Sequence, residues 1–524
     1  MSKKYKEGIN RNQQQFFPPS LDEYVDENNQ VRAVELYVQR LDLKEMGFDD
    51  TSTSLEGQKS YSPKLLLKIY IYGYLNKIRS SRALEKENAR NIELMWLTQG
   101  LKPTYKTISD FRKNNPKALK TVFKDFVLLL KGLALIGDEL VALDGAFLRA
   151  NASKNTLIMK KTTQRDLKEI DTTIDEYLSA LKYSDEETHT TKLVKQLPRK
   201  LEILLKNKAR FTTELKFLEK IKRTQYNRTD PDASVMVKPA HNLMAYNSQI
   251  CVDNKFKFIV ATDVTSSGTD KQELHHMAMQ TKEVIASPDL VILADKGYYS
   301  AAEIKKCMDD GIKTLVPYAQ TGQQQKNAGK FTKDKFVYNA EKDCYICPNN
   351  EEIPKSVSSN VRNGRLMFIY RPKVSTCTAC PIKDKCLGKT TRYKQIQRWE
   401  EQELLDKYYQ DLKTPEAKAL MKKRGSIVEH PFGTIKRSLG WDHFLVRSKK
   451  KVQGENALIM FAYNFKRLLN LIGIVLFKKL MIALKNGDIT QIREEIALHI
   501  SSCRLYMLNF LQDIFMVQFP KKLA

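Results

Sequence analysis

The most informative stretch of the chain is Glu139-Leu140-Val141-Ala142-Leu143-Asp144-Gly145. It is a short apolar run ending in a carboxylate, the pattern of a buried strand. A second run of the same kind, Leu290–Ala294, ends in Asp295 and continues as Lys296-Gly297-Tyr298. Leu143-Asp144-Gly145 and Ala294-Asp295-Lys296-Gly297 both predict a tight exit turn that aims the acidic side chain. Each Asp is thereby placed at the C-terminal end of its strand, where ligands bind in α/β sheets. If the strands are parallel neighbours, the two carboxylates converge on one site. Around them, Asn242–Val252 and Lys257–Val264 read as a hairpin across Asp253-Asn254-Lys255. Lys271–Ala286 and Ser300–Asp310 read as helices and Lys313–Val316 as a strand. Together these predict a mixed α/β sheet.

Composition narrows what such a sheet serves. The 524 residues include 88 Lys and Arg against 61 Asp and Glu, a net charge of +27. That excess repels itself unless a polyanion is the partner, which favours nucleic acid. At 42% hydrophobic the chain is not wholly disordered. The strongest apolar run, Leu468–Phe477, contains Asn470 and Gly473, is flanked by Lys and Arg, and is too short to cross a bilayer. The first residues, MSKKYKEG, hold no apolar signal core. A cytoplasmic protein with reduced thiols and no membrane partner is expected.

Upstream of the first strand the periodicity is helical. Ser62-Pro63 opens a helix with Leu65, Ile69 and Tyr72 on one face; a second pattern runs from Ser81 to Trp96, and a third starts at Thr107-Ile108-Ser109. Arg79, Arg82, Lys102, Lys106, Arg112, Lys113 and Lys117 decorate these helices. A compact basic domain resembling a helix-turn-helix could read DNA this way; the alternative is an ordinary helical domain with a solvated basic face. Leu167, Ile170, Ile174, Leu178 and Leu181, then Leu197, Leu201, Leu204, Phe211, Leu215 and Leu218, form two further stripes that predict an antiparallel helical hairpin.

Two close carboxylates repel unless a cation lies between them, and Mg²⁺ binds through one or two carboxylates and phosphate oxygens. Two such ions would activate the attacking water and stabilise the leaving oxygen of a phosphodiester. A third acid is needed, and Glu429 in Val428-Glu429-His430-Pro431-Phe432-Gly433-Thr434-Ile435-Lys436-Arg437 is the candidate. On a helix Glu429 and Lys436 share a face, provided Pro431 lies near the helix start. From Lys418 to Lys451 there are ten basic residues and two acidic, a density suited to phosphate contacts.

Leu-Asp-Gly, Ala-Asp-Lys-Gly-Tyr-Tyr-Ser and Val-Glu-His-Pro-Phe-Gly-Thr-Ile-Lys-Arg, in this order, resemble the three blocks of a DDE insertion-sequence transposase. More closely, the chain resembles the family numbered 1182 among insertion sequences. Asp230-Pro231-Asp232-Ala233, Ala245-Tyr246-Asn247-Ser248-Gln249 and Thr107-Ile108-Ser109-Asp110-Phe111-Arg112 support the likeness. The resemblance implies a ribonuclease-H-like core in which Asp144, Asp295 and Glu429 hold two Mg²⁺ or Mn²⁺ ions. It implies cleavage of double-stranded DNA at the element's terminal repeats to leave a 3′-OH, and joining of that end to target DNA, in a synaptic homodimer. Lys436 matches the Lys of a Glu-x6-Lys signature, and Arg437, Lys296 and Arg424 are assigned with it to DNA. Related signatures place an Arg four residues before the Glu and a Tyr three before that. Here Gly425 and Lys422 occupy those positions, with Arg424 one residue off. The rivals are a nuclease on the same fold that does not join, and a non-catalytic DNA-binding descendant.

Five of the eight cysteines lie between Cys344 and Cys386. Two C-x2-C pairs and Cys386 could supply four thiolates to a structural Zn²⁺. The resemblance favours Cys347, Cys377, Cys380 and Cys386, with Cys344 as the alternative. This segment is short of apolar residues, so a metal staple is expected to replace a core. Cys251, Cys307 and Cys503 read as core residues, Trp399 and Trp441 as core aromatics rather than base-stacking rings, and His241, His275 and His276 as surface or satisfied core. The expected organisation is a helical DNA-binding domain over 1–135, a catalytic core in three pieces (136–155, 226–317 and 399–470), a helical hairpin insert over 156–225, a cysteine-rich insert over 318–398, and a helical tail over 471–524.

Overall fold

A computed structural model of the chain describes residues 20–48, 60–137, 139–184, 192–237, 242–318, 329–362, 365–388 and 390–503. His241 lies outside the described residues. The chain forms two compact units. The first takes in the described parts of Met1–Gly268, Gln280–Ser287 and Ser426–Ala524; the second takes in those of Thr269–Met279 and Pro288–Gly425. The elements make a mixed α/β protein with antiparallel and parallel strands.

The first unit opens with helices α1 (Gln30–Arg40), α2 (Pro63–Leu75), α3 (Ser81–Asn88), α4 (Ile92–Thr98), α5 (Tyr105–Asn114) and α6 (Pro116–Gly132). Ser62 caps α2 by accepting from the Lys64 N–H, with Pro63 in the first turn. The stretch expected as one helix from Ser81 to Trp96 is two, because Asn91 accepts from the N–H groups of Glu93 and Leu94 and starts α4 afresh. Thr104 likewise caps α5 by accepting from the Thr107 N–H, so the helix begins at Tyr105, two residues before Thr107.

Strand β1 (Leu140–Arg149) follows. Then β2 (Leu157–Met159) and β3 (Gln225–Asn227) pair at the foot of the expected hairpin, α7 (Lys160–Ser184) and α8 (Lys192–Lys220). Strand β4 (Ser234–Val237) and the hairpin β5 (Asn242–Asp253) and β6 (Ile259–Thr265) complete the sheet of this unit, with β1 antiparallel to β5. Helix α9 (Leu274–Ile285) is divided between the two units.

The second unit begins with the parallel pair β7 (Val291–Leu293) and β8 (Lys313–Leu315), with α10 (Ala301–Asp309) between them in sequence. An antiparallel sheet of five strands comes next: β9 (Val337–Asn339), β10 (Cys344–Ile346), β11 (Glu352–Arg362), β12 (Arg365–Tyr370) and, after the short helices α11 (Val374–Thr378) and α12 (Lys383–Cys386), β13 (Ile396–Trp399). The expectation that this segment lacks a core is corrected. Phe336, Tyr345, Ile353, Tyr370 and Ile396 form one, with Cys347 and Cys386 packed on it. The apolar residues are few, but three of the five are aromatic and bury a large area each.

Asp343 ties this sheet together, accepting from Lys355 Nζ and Tyr338 Oη at 2.8 Å each and from Tyr370 Oη. Lys355 first, then Tyr370 and Tyr338, hold its carboxyl down at about 2. A lowered carboxyl pKa contributes stability that is complete above the unfolded value and is lost as pH falls through the folded one. The stability advantage of the wild type over Asp343→Asn is therefore expected at pH 7 and should shrink as pH falls from about 4 towards 2. Thermal melts across that range would show it; a gap that does not change with pH contradicts it.

Helices α13 (Gln402–Leu412), α14 (Pro415–Gly433) and α15 (Lys449–Asn486), then a helix over 490–503, end the described chain. α15 is the pillar of the first unit. Phe461 lies 5.0 Å from Phe126 of α6 and 5.3 Å from Tyr37 of α1, ring centre to ring centre. The N-terminal helices therefore share a core with the C-terminal one. A Cβ on Gly454 would stand 2.6 Å from Pro116 Cα, so only glycine lets α6 and α15 approach this closely. α15 also clamps the sheet: Asn464 makes hydrogen bonds of 2.9 and 2.8 Å with the backbone N–H and C=O of Ile259. Asn456 accepts from Ser248 Oγ and donates to Thr262 Oγ1. No helix among the described residues is long and apolar enough to cross a membrane.

Candidate active site

Asp144 does not end its strand. β1 runs five residues further to Arg149, and Asp144 pairs with Ile250 in mid-strand, half-buried. The strand continues because Ala146 and Leu148 are still buried and because Arg149 finds new backbone partners. Its N–H donates to Asp442 O and its C=O accepts from Phe444 N–H. Asp144 Oδ1 accepts from the Gly145 N–H at 3.0 Å.

Asp295 lies two residues beyond the end of β7 and caps the short turn Lys296–Tyr298, accepting from the Gly297 N–H at 2.7 Å. This is the tight exit turn expected from the sequence. A Cβ on Gly297 would lie 2.8 Å from Asp295 Oδ1 and 3.6 Å from Asp270 Oδ2. A side chain there would push on Asp295, and Asp270 belongs to the same neighbourhood. Lys296 is exposed beside it.

Glu429 is exposed on α14, but Pro431 is inside that helix rather than near its start. Proline has no N–H for the carbonyl four residues back, and the helix loosens after it into the π-turn Thr434–Ser438. Leu439 N–H reaches Thr434 O, five residues back. The wider turn takes Glu429 and Lys436 out of the simple α-helical phase that was expected to align them. Lys436 Nζ sits 5.3 Å from the Phe432 ring centre, Arg437 is exposed and Arg424 is half-buried. Beside Glu429, His430 Nδ1 is 3.1 Å from Tyr463 Oη. Partial burial, with Arg467 and Lys257 nearby, holds the imidazole below its ordinary pKa, so it is neutral at pH 7.

Asp144 and Glu429 belong to the first unit and Asp295 to the second. Among the described residues no three His, Cys, Asp or Glu side chains stand close enough to hold a metal ion.

Sequence reasoning missed the residue that braces this region. Glu455 of α15 is fully buried. One oxygen accepts from Tyr74 Oη at 3.2 Å and Arg112 at 3.4 Å, and the other from the N–H groups of Leu445 and Val446 at 2.9 and 3.1 Å. Arg79 lies 3.9 Å away and donates to His443 O at 2.7 Å. Burial works against the Arg112 charge, but Tyr74 and Glu455 outweigh it and raise its pKa. The loop that Glu455 holds is the one whose Asp442 and Phe444 bond Arg149, so N-terminal helices, α15 and the strand carrying Asp144 are wired together. Asp230 and Asp232 add a second brace. Asp230 accepts from Tyr246 Oη and Ser448 N–H, and Asp232 accepts from Lys449 N–H at the positive start of α15. The stretches 230–233 and 245–249 are thus structural. Beyond the family likeness that both stretches support, the sequence marks 230–233 only by its acidic residues and 245–249 by none.

Cys347, Cys377, Cys380 and Cys386 line one cavity of about 30 Å³ in the second unit; Cys344 does not. Burial, then the three neighbouring cysteines against an opposing Lys394, raises the Cys386 thiol. The Asn349 N–H points at Cys347 Sγ, 3.3 Å away. Cys251 and Cys307 are buried as expected, whereas Cys503 is exposed, because the helix over 490–503 turns that face outward. Trp399 and Trp441 are buried, which fits core aromatics.

Comparison with known proteins comes to the same class. The Transposase DDE domain model matches residues 346–469, and the model described as Transposase domain (DUF772) matches residues 19–114. Both are transposase domains, and they support an insertion-sequence DDE transposase; Glu429 falls inside the first match and Asp144 and Asp295 outside it. No curated protein matches the chain. Among solved structures, a piggyBac transposase synaptic complex with hairpin DNA aligns over 96% of this chain and 87% of its own, at 8% identity and a TM-score of 0.31. So distant a likeness adds nothing to the assignment.

Proposed function

We propose that this chain is a DNA transposase that binds the terminal inverted repeats of its own insertion sequence, cuts to leave a 3′-OH, and joins that end to target DNA. The observation that carries the reading is the DDE-domain match over 346–469, which contains Glu429, together with two further acids, Asp144 in mid-strand and Asp295 in a turn, each accepting from a nearby backbone N–H. Asp144, Asp295 and Glu429 would hold Mg²⁺ or Mn²⁺ on a ribonuclease-H-like core. A bound pair of ions polarises the phosphodiester and stabilises the attacking and leaving oxygens. The three carboxylates suit such ions chemically. They are oxygen donors, two half-buried and one exposed, with Lys296, Lys436, Arg437 and Arg424 to take phosphate charge. The protein itself offers positioning rather than a covalent nucleophile. The N-terminal helices would grip the element ends, with exposed cations such as Arg82, Lys102, Lys106, Lys113 and Lys117 rather than the buried Arg79 and Arg112. Two copies would form the synaptic complex, and the setting would be the cytoplasm, on the nucleoid.

The test is a strand-transfer assay on cloned element ends in Mg²⁺. Cleaved ends joined to target are expected; ends nicked but never joined point to a nuclease, and ends bound but never nicked reject the catalytic reading.

Cys347, Cys377, Cys380 and Cys386 line one cavity and are chemically the donors of a structural Zn²⁺, which would have to draw them closer than they stand, since no three of them are within reach of one ion. Because the metal displaces protons, occupancy should fall in acid. Elemental analysis of purified protein is expected to give about one zinc per chain, lost in Cys380→Ser. Near-zero zinc in both rejects the site.

A further inference from the structure

The second unit also holds a cleft of about 1160 Å³ whose walls combine tyrosines with cations. It exceeds the roughly 300–1,000 Å³ of a small-molecule pocket. On one side Tyr318 meets Tyr299 and Tyr409 edge to face, at ring separations of 5.2 and 5.0 Å. Tyr318 lines the cleft and remains 43% exposed, so this cluster leaves ring surface open rather than sealing it as a core would. On the other side the Arg398 guanidinium lies 3.5 Å over the Tyr338 ring and pairs with Asp406 at 3.2 Å. Lys413, Lys418 and Lys422 line the cleft from the α13–α14 region and are exposed. Five cations line the cleft against two acids, Asp334 and Asp406, a balance that favours an anionic ligand.

Rings and cations lining one groove are what an unpaired nucleic acid strand requires: faces for its bases and charge for its phosphates. A duplex keeps its base faces in its own stack and gains nothing from an open tyrosine. Tyr299 is four residues beyond Asp295, at most about 14 Å of chain. The Tyr299 wall of the cleft is therefore near that carboxylate.

We propose that this cleft binds an unpaired DNA segment, with bases on Tyr318 and Tyr299 and phosphates along Lys413, Lys418 and Lys422. That the polyanion is DNA rests on the function proposed above. The experiment titrates a short fluorescein-labelled oligothymidylate with the full chain in EDTA, read by anisotropy beside a blunt duplex. Tyr318→Ala is expected to weaken oligothymidylate binding roughly tenfold and leave duplex binding unchanged, while Tyr318→Trp retains both. Lys418→Ala with Lys422→Ala should flatten the salt dependence for the single strand. Oligothymidylate bound equally by wild type and Tyr318→Ala overturns the proposal, as does an equal loss of duplex binding. Because EDTA removes free divalent metal, the titration reads binding alone; a chain that binds the oligomer through Tyr318 but never nicks element ends in the separate Mg²⁺ assay supports the cleft and rejects only the catalytic reading.

Discussion

Replacing Asp295 by Asn is expected to lower Mg²⁺-dependent cleavage of element ends by on the order of 10³-fold or more while end binding persists. Asn keeps an oxygen for the Gly297 N–H that Asp295 accepts at 2.7 Å, so the turn survives and only the charge is lost. Asp295→Ala removes both and adds about 1 kcal/mol of local destabilisation. Gel assays of nicking and of end binding, run on the same preparations, separate the effects. Cleavage by Asp295→Asn at the wild-type rate would remove this carboxylate from the chemistry.

Glu455→Ala is expected to be the most damaging single change to the first unit. It leaves Arg112 and Arg79 buried without their shared carboxylate and leaves the Leu445 and Val446 N–H groups without an acceptor. Breaking a buried ion pair from one side costs about 3–5 kcal/mol. Glu455→Gln should cost less, since an amide oxygen can still accept the backbone N–H groups. Urea denaturation followed by circular dichroism would rank wild type above Gln above Ala; an unchanged midpoint for Ala contradicts the brace. Cleavage should fall with stability in both variants, because the loop held by Glu455 also holds the end of the strand carrying Asp144.

How much the sequence revealed depended on how local each signal was. Ser62-Pro63, the Asp253–Lys255 turn and the Asp295 turn each act within a few residues, and each is found where the sequence places it. The end of β1 is not local. Asp144 looks terminal because Gly145 follows it, but the strand is prolonged by a loop nearly three hundred residues later in the chain. Pro431 misleads for a related reason: proline predicts a helix start, and its place inside α14 is accommodated by a π-turn that periodicity cannot foresee. The cysteine-rich sheet looks coreless in the sequence because its aliphatic residues are few, although Tyr345 and Tyr370 bury like core residues. Glu455 carries no pattern at all; a lone Glu on a long helix reads as solvated until its arginines arrive from α5 and the loop after α2.

If Asp144, Asp295 and Glu429 share one metal centre, an ion bound there must lie close to all three stretches of backbone. Fe²⁺ in place of Mg²⁺, with ascorbate and peroxide, generates radicals that cut the protein around the bound iron. Mapped by mass spectrometry, the cuts should fall near all three acids and disappear together in Asp295→Asn. Cuts near one acid alone, or a pattern unchanged in that variant, would show that the three do not share an ion.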